Sequence, residues 1–167
     1  MLFRSCFFSA AKTSFSSQKD FATQALTAHN RHRAAHGVLP MKWSEHLARE
    51  AQAWAQKLAN ERCLRHASKS ERNDCGENLA MFTGNFDEAG VEATNMWYEE
   101  VKDCNFRKSG FQSNTGHFTQ VVWKGSKELG MGRASTRDGR LTFVVGRYRP
   151  AGNIIGHFDD NVFRKTR

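Results

Sequence analysis

Apolar positions recur as Leu47, Ala51, Trp54, Ala55 and Leu58, an i, i+4, i+7, i+8, i+11 series that fits one face of a helix. Pro40 breaks the chain before this run and Ser44 stands where an N-cap belongs. An earlier helix is predicted over roughly 21–36, with Asp20 as N-cap and Gly37 as stop. A third helix is predicted from Asp87, with Trp97, Val101 and Cys104 on one face. Between the second and third, residues 66–76 read as a polar loop and Glu77 to Phe82 as a short helical turn. Residues 105–116 carry turn formers and aromatics without a sustained period, which predicts a long ordered loop. Phe118 to Trp123, Leu129 to Ser135 and Leu141 to Tyr148 are short β-rich runs, the last two joined as a hairpin across Asp138-Gly139. Helices first and strands last imply an α+β layered domain with an antiparallel sheet, not a doubly wound parallel one.

With 167 residues, 39% hydrophobic and 25% charged, the chain suits one folded domain. Every long apolar stretch is interrupted by a charged residue, so no segment reads as a transmembrane helix. The formal net charge is +8, and removing Arg4, Lys12 and Lys19 with residues 1–19 still leaves +5. Such a balance fits an acidic partner. The basic residues form no nucleic-acid motif and no phosphate-cradling Gly-rich loop is present, so nucleic acid is not an expected partner.

The cysteines are Cys6, Cys63, Cys75 and Cys104, three of them in the body of the chain, so pairing within the body leaves one over. There is no Asn-x-Ser/Thr acceptor, and both features lean towards a reducing compartment. Residues 1–19 lack acid, are rich in Ser and Phe, and repeat Phe3, Phe7, Ala11 and Phe15 on one helical face. They read as a targeting segment, mitochondrial in type or secretory, or as a disordered tail. Leu2 stands where N-myristoylation needs glycine. Residues 161–167 form a short basic tail with Arg164, Lys165 and Arg167.

Among seven histidines, His66 beside the polar loop and His117 before an apolar run stand out, with Glu77 and Glu100 between them in sequence. If these four converged, two imidazoles and two carboxylates would share a cavity able to shuttle protons or hold a divalent ion such as zinc. Two histidines alone are few ligands for zinc, which takes three protein ligands in catalytic sites and four in structural ones. Spacing alone does not pair these residues, and a buried Glu holding a loop through a His has the same composition. No Gly-x-Ser-x-Gly elbow occurs and nothing marks a cysteine as an activated thiolate. Trp43, Trp54, Trp97 and Trp123, with Phe106, Phe111 and Phe118, fit a core better than a pocket for a lipid or sterol. Trp97 and Glu100 lie one turn apart, which would set an apolar wall beside a carboxylate.

Four segments in order resemble the CAP superfamily of cysteine-rich secretory, antigen 5 and pathogenesis-related 1 proteins. They are His29-Asn30-Arg31-His32-Arg33, Gly76-Glu77-Asn78-Leu79, Gly116 to Trp123, and Val145 to Asn153. The resemblance covers about residues 20–160 and implies a three-layer α-β-α sandwich around a mainly antiparallel sheet. It also implies a central cavity with His66, Glu77, Glu100 and His117, and a possible metal at His66 and His117. Gly146 stands where secreted members usually carry a cysteine, so the resemblance is to the Golgi-associated, non-secreted subgroup. That subgroup implies binding of anionic phospholipid on the cytosolic face of Golgi or other endomembranes, and a possible homodimer. The leading expectation is a non-enzymatic protein that binds lipids or membrane surfaces. The alternatives are a metal-assisted hydrolase or peptidase using Glu77 or Glu100 as base, and a dimeric interaction scaffold. The alternative destinations through residues 1–19 are secretion and the mitochondrion.

Overall fold

A computed structural model describes residues 7–86 and 88–166. Helix α1 spans Phe7–Ala35, β1 Lys42–Trp43, α2 Glu45–Glu61, β2 Gly76–Thr83, α3 Ala89–Glu99, α4 Gly116–Val122, β3 Glu128–Ser135 and β4 Leu141–Arg149. A 3-10 turn, Glu100–Asp103, continues directly from α3. The strands form one sheet in the order β1-β3-β4-β2, antiparallel except for the short β1–β3 pair.

Strict alternation along the two inner strands divides the interior. On β4, Phe143 and Val145 face α2 and join its Ala51, Trp54, Ala55 and Leu58, while Val144 and Tyr148 face the opposite cluster. On β3, Leu129 and Met131 join Val144, while Gly130 and Gly132 turn to α2. A Cβ at either glycine would overlap helix backbone, at Leu47 and Ala48 for Gly130 and at Ala51 and Gln52 for Gly132. These two glycines therefore let α2 lie directly on the sheet. Phe21 and Ala25 of α1, Ala93 and Trp97 of α3, and Phe118 and Val121 of α4 cover the other face. The result is the three-layer α-β-α sandwich.

The α2 helix forms as its spacing predicts, with the Ser44 side chain accepting from Leu47 N–H. The hairpin of β3 and β4 forms in the expected place. Four expectations are corrected. Helix α1 starts upstream of Asp20, because no Gly or Pro interrupts residues 7–35 and a cap residue ends a helix only where the chain before it leaves helical geometry. Glu77 to Phe82 is strand, because residues 76–83 pair in register with the whole of β4, and that ladder overrides local propensity. Phe118 to Trp123 is not a strand: α4 covers Phe118 to Val122, and a short run buried on every side, polar Thr119 and Gln120 included, carries no period to distinguish helix from strand. With β2 lying between α2 and α3, the order is not helices followed by strands. The predicted start of the third helix at Asp87 lies outside the described residues, as do Cys6 and the rest of residues 1–6. Cys63, Cys75 and Cys104 are free thiols.

Candidate functional site

The four predicted residues come together as two pairs. His66 Nδ1 lies 2.7 Å from Glu77 Oε1, and His117 Nδ1 lies 2.6 Å from Glu100 Oε1. A carboxylate only accepts, so in each pair Nδ1 is the donor and carries the proton. Each ring is left with Nε2 facing no protein partner among the described residues.

Glu77 sits at the start of β2, fully buried, beneath a His66 ring that is 57% exposed. Its Oε1 also accepts from Ala67 N–H at 3.0 Å, which ties the polar 66–76 loop to the sheet. Its Oε2 lies 3.0 Å from Arg147 Nη2, in an ion pair with almost no solvent exposure on either side. Cross-strand register explains the pair, since Glu77 stands opposite Arg147 on β4 and both point to the α2 face. Sequence reasoning missed Arg147. The available signal was the alternation itself, which places it in line with the core residues Phe143 and Val145.

Glu100 is positioned differently, by the 3-10 turn after α3, where it receives the first backbone groups of α4. Its Oε2 accepts from His117 N–H at 2.8 Å and from Phe118 N–H at 3.1 Å. Burial pushes this carboxyl up, but the hydrogen bonds from His117 and the two backbone N–H groups outweigh it and hold the group below its ordinary value. The Trp97 ring stacks on His117 with centroids 6.4 Å apart, so the expected apolar wall beside the Glu100 carboxylate is present. Asn78 joins the two halves, because its Nδ2 donates to the His117 carbonyl while its neighbour Glu77 points to the other face of β2. The two pairs are thus reached from adjacent residues whose side chains leave the strand in opposite directions.

Beside Glu77 opens a cavity of about 530 Å3, lined among others by Lys69, Arg72, Cys75, Gln120 and Ile154. Each histidine is prepared as a ligating histidine is, with a carboxylate on Nδ1 and Nε2 free. The number of donors falls short, however: among the described residues no group of three or more His, Cys, Asp or Glu is placed to hold an ion.

A family model described as CAP, the cysteine-rich secretory protein family, matches residues 26–148. This chain belongs to the CAP family. It is 48% identical over 149 residues to the human Golgi-associated plant pathogenesis-related protein 1, an alignment covering 88% of this chain and 95% of that one. It is 36% identical over 140 residues to pathogenesis-related protein 1 of Arabidopsis thaliana, covering 84% and 83%. Among solved structures, "Crystal structure of NaASP2 with Zn2+" superposes with a TM-score of 0.70 at 22% identity, covering 87% of this chain and 85% of that one. These matches place the three-layer arrangement within the CAP fold. Within this CAP chain, Gly146 lies against the core rather than beside a second sulfur: a Cβ there would stand 3.2 Å from the Trp97 ring and from the Tyr148 hydroxyl.

Proposed function

We propose that the protein is a non-enzymatic CAP-domain protein that binds anionic membrane surfaces, working on endomembranes as the name of its Golgi-associated relative indicates for that protein. The observation that carries this reading is the charge: +8 over 167 residues, on a chain in which no described helix is long and apolar enough to cross a membrane. A peripheral protein of this charge gains affinity from each cation brought near anionic lipid, about 1 kcal/mol apiece close to the surface. Flotation with phosphatidylcholine vesicles, with and without phosphatidylserine, tests it. Binding should require the anionic lipid and weaken at high salt, because screening shortens the reach of the charges. Equal recovery on neutral and anionic vesicles would refute it.

A second reading, weak divalent-metal binding at the Nε2 of His66 or at that of His117, is favoured by the carboxylate that holds each Nδ1. Calorimetric titration with zinc should show weak uptake that disappears in the His66→Ala/His117→Ala double variant. Uptake unchanged by that double variant would place any metal elsewhere.

A further inference from the structure

Three of the large apolar side chains left in solvent gather at one edge of the cavity beside Glu77. Ile154 is 47% exposed and lines the cavity, Ile155 next to it is 77% exposed, and Phe111 is 53% exposed. Phe111 belongs to the same rim: a Cβ at Gly116 would stand 3.7 Å from the Phe111 ring and 4.0 Å from Asn153 Nδ2, the residue before Ile154. Adjacent branched aliphatic side chains with this much surface left in water are not accounted for by the core, and such a patch marks a contact surface.

The charges of the cavity wall decide what that surface meets. Lys69 is matched by Asp74 at 3.4 Å, and Glu77 is taken up by Arg147 and His66. Arg72 lines the same wall with no carboxylate within salt-bridge distance among the described residues, and its Nε is buried without a hydrogen-bond acceptor. Arg149 adds a second cation beside the cavity, its Nη2 lying 3.2 Å from Cys75 Sγ. An uncompensated guanidinium in a cavity, with aliphatic side chains projecting from the rim, matches the two layers of a bilayer surface: phosphate and, beneath it, acyl chain.

We propose that this edge is the membrane-docking face, with Ile154 and Ile155 entering the acyl boundary of an anionic phospholipid bilayer and Arg72 receiving a lipid phosphate in the cavity. The inference rests on the membrane-binding reading above and adds the orientation of the bound protein.

The test uses the full chain and flotation with phosphatidylcholine/phosphatidylserine vesicles. Ile154→Ser/Ile155→Ser should lower the partition coefficient about tenfold, and Arg72→Gln about fivefold with a weaker salt dependence. Ile155→Trp should raise it, and its indole emission should shift to the blue on vesicles, a readout that loss of fold does not produce. Met96→Ser, at an exposed apolar position of α3 that does not line the cavity, should leave binding unchanged. Wild-type protein that ignores anionic vesicles overturns the membrane reading and this orientation with it. Wild-type binding that persists in the isoleucine double variant, with no blue shift for Ile155→Trp, overturns the docking face alone. Loss in the isoleucine variant without loss in Arg72→Gln overturns the phosphate contact.

Discussion

The Glu77–Arg147 pair allows a decisive perturbation, because its two charges are removed from water together and held in register by neighbouring strands. Glu77→Gln keeps the shape and an acceptor for Ala67 N–H but leaves the Arg147 charge buried and alone. Among the described residues Arg147 already has Nε and Nη1 without hydrogen-bond partners, so no other hydrogen bond takes up the charge, and the electrostatic attraction of Cys75 and Glu50 is weaker than that of Glu77. Breaking a buried pair from one side costs about 3–5 kcal/mol. For a domain of this length that corresponds to a fall in Tm of about 10 °C. Arg147→Met strands the carboxylate instead and should be destabilising too, less so because His66 still donates to it. The double variant Glu77→Gln/Arg147→Met removes both charges and should return to within about 1 kcal/mol of wild type. Urea unfolding followed by tryptophan fluorescence, with all four proteins in one cycle, measures the coupling. A loss below about 1 kcal/mol for Glu77→Gln, the range of exposed ion pairs, would refute the claim that the pair is sealed from solvent.

Other consequences can be checked with the same assay. Burial pushes His29 down to about 3, against an unfolded value near 6.5. The native ring therefore stays neutral, and the unfolded chain binds a proton that the native one refuses. Stability contributed by His29 is full above pH 6.5 and falls by up to about 1.4 kcal/mol per unit as pH drops below it; His32 and His36 are lowered in the same sense by burial. Stability that is flat between pH 7 and pH 5 would refute this. Arg33→Lys should cost about 3 kcal/mol, since one ammonium cannot span the carbonyls of Leu39, Val121, Trp123 and Ser126 that the guanidinium now satisfies; a melt within error of wild type would show that water takes its place. Gly132→Ala should cost at least about 1–3 kcal/mol, because the new methyl overlaps the Gln52 backbone and either α2 or β3 must move.

What was legible in the sequence follows from where the determining contact lies. Helix α2 has its apolar stripe and its cap within one stretch of chain, and the β3–β4 hairpin has its turn residues between its strands, so both are read locally. Strand β2 has no such local cause. Its residues become strand through pairing with β4, more than fifty positions away in sequence, and Arg147 becomes visible as a partner of Glu77 only through that register. Helix α4 is held from a distance as well, by Arg33 of α1, which donates to the carbonyls of Val121 and Trp123 at its C-terminal end. The candidate site was legible residue by residue and not as an arrangement: all four side chains were named, but their division into two pairs on opposite faces of β2 depends on the pleat of an edge strand that the sequence did not reveal.

The same contacts separate what the family motifs do from what the site does. In the first-helix signature, His29 reaches the Ala25 carbonyl and the Tyr148 hydroxyl, and Asn30 both donates to the Met41 carbonyl and accepts from Met41 N–H. In the box around α4, Gln120 accepts from Gly152 N–H and donates to Ser126 Oγ, fixing the segment that leads to Ile154 and Ile155. These are backbone clamps, and their demand for particular hydrogen-bonding geometry is enough to explain why such residue types stand in the motifs without any ligand. Among the described residues chemistry is left to a smaller set: His66 and His117 with a ring nitrogen each to spare, and Arg72 with no carboxylate to match it. Binding differences between CAP proteins of this architecture should therefore be sought in the 66–76 loop and in residues 151–154, which contribute to the cavity wall, and in the adjoining Ile155, while substitutions in the clamps should change stability first.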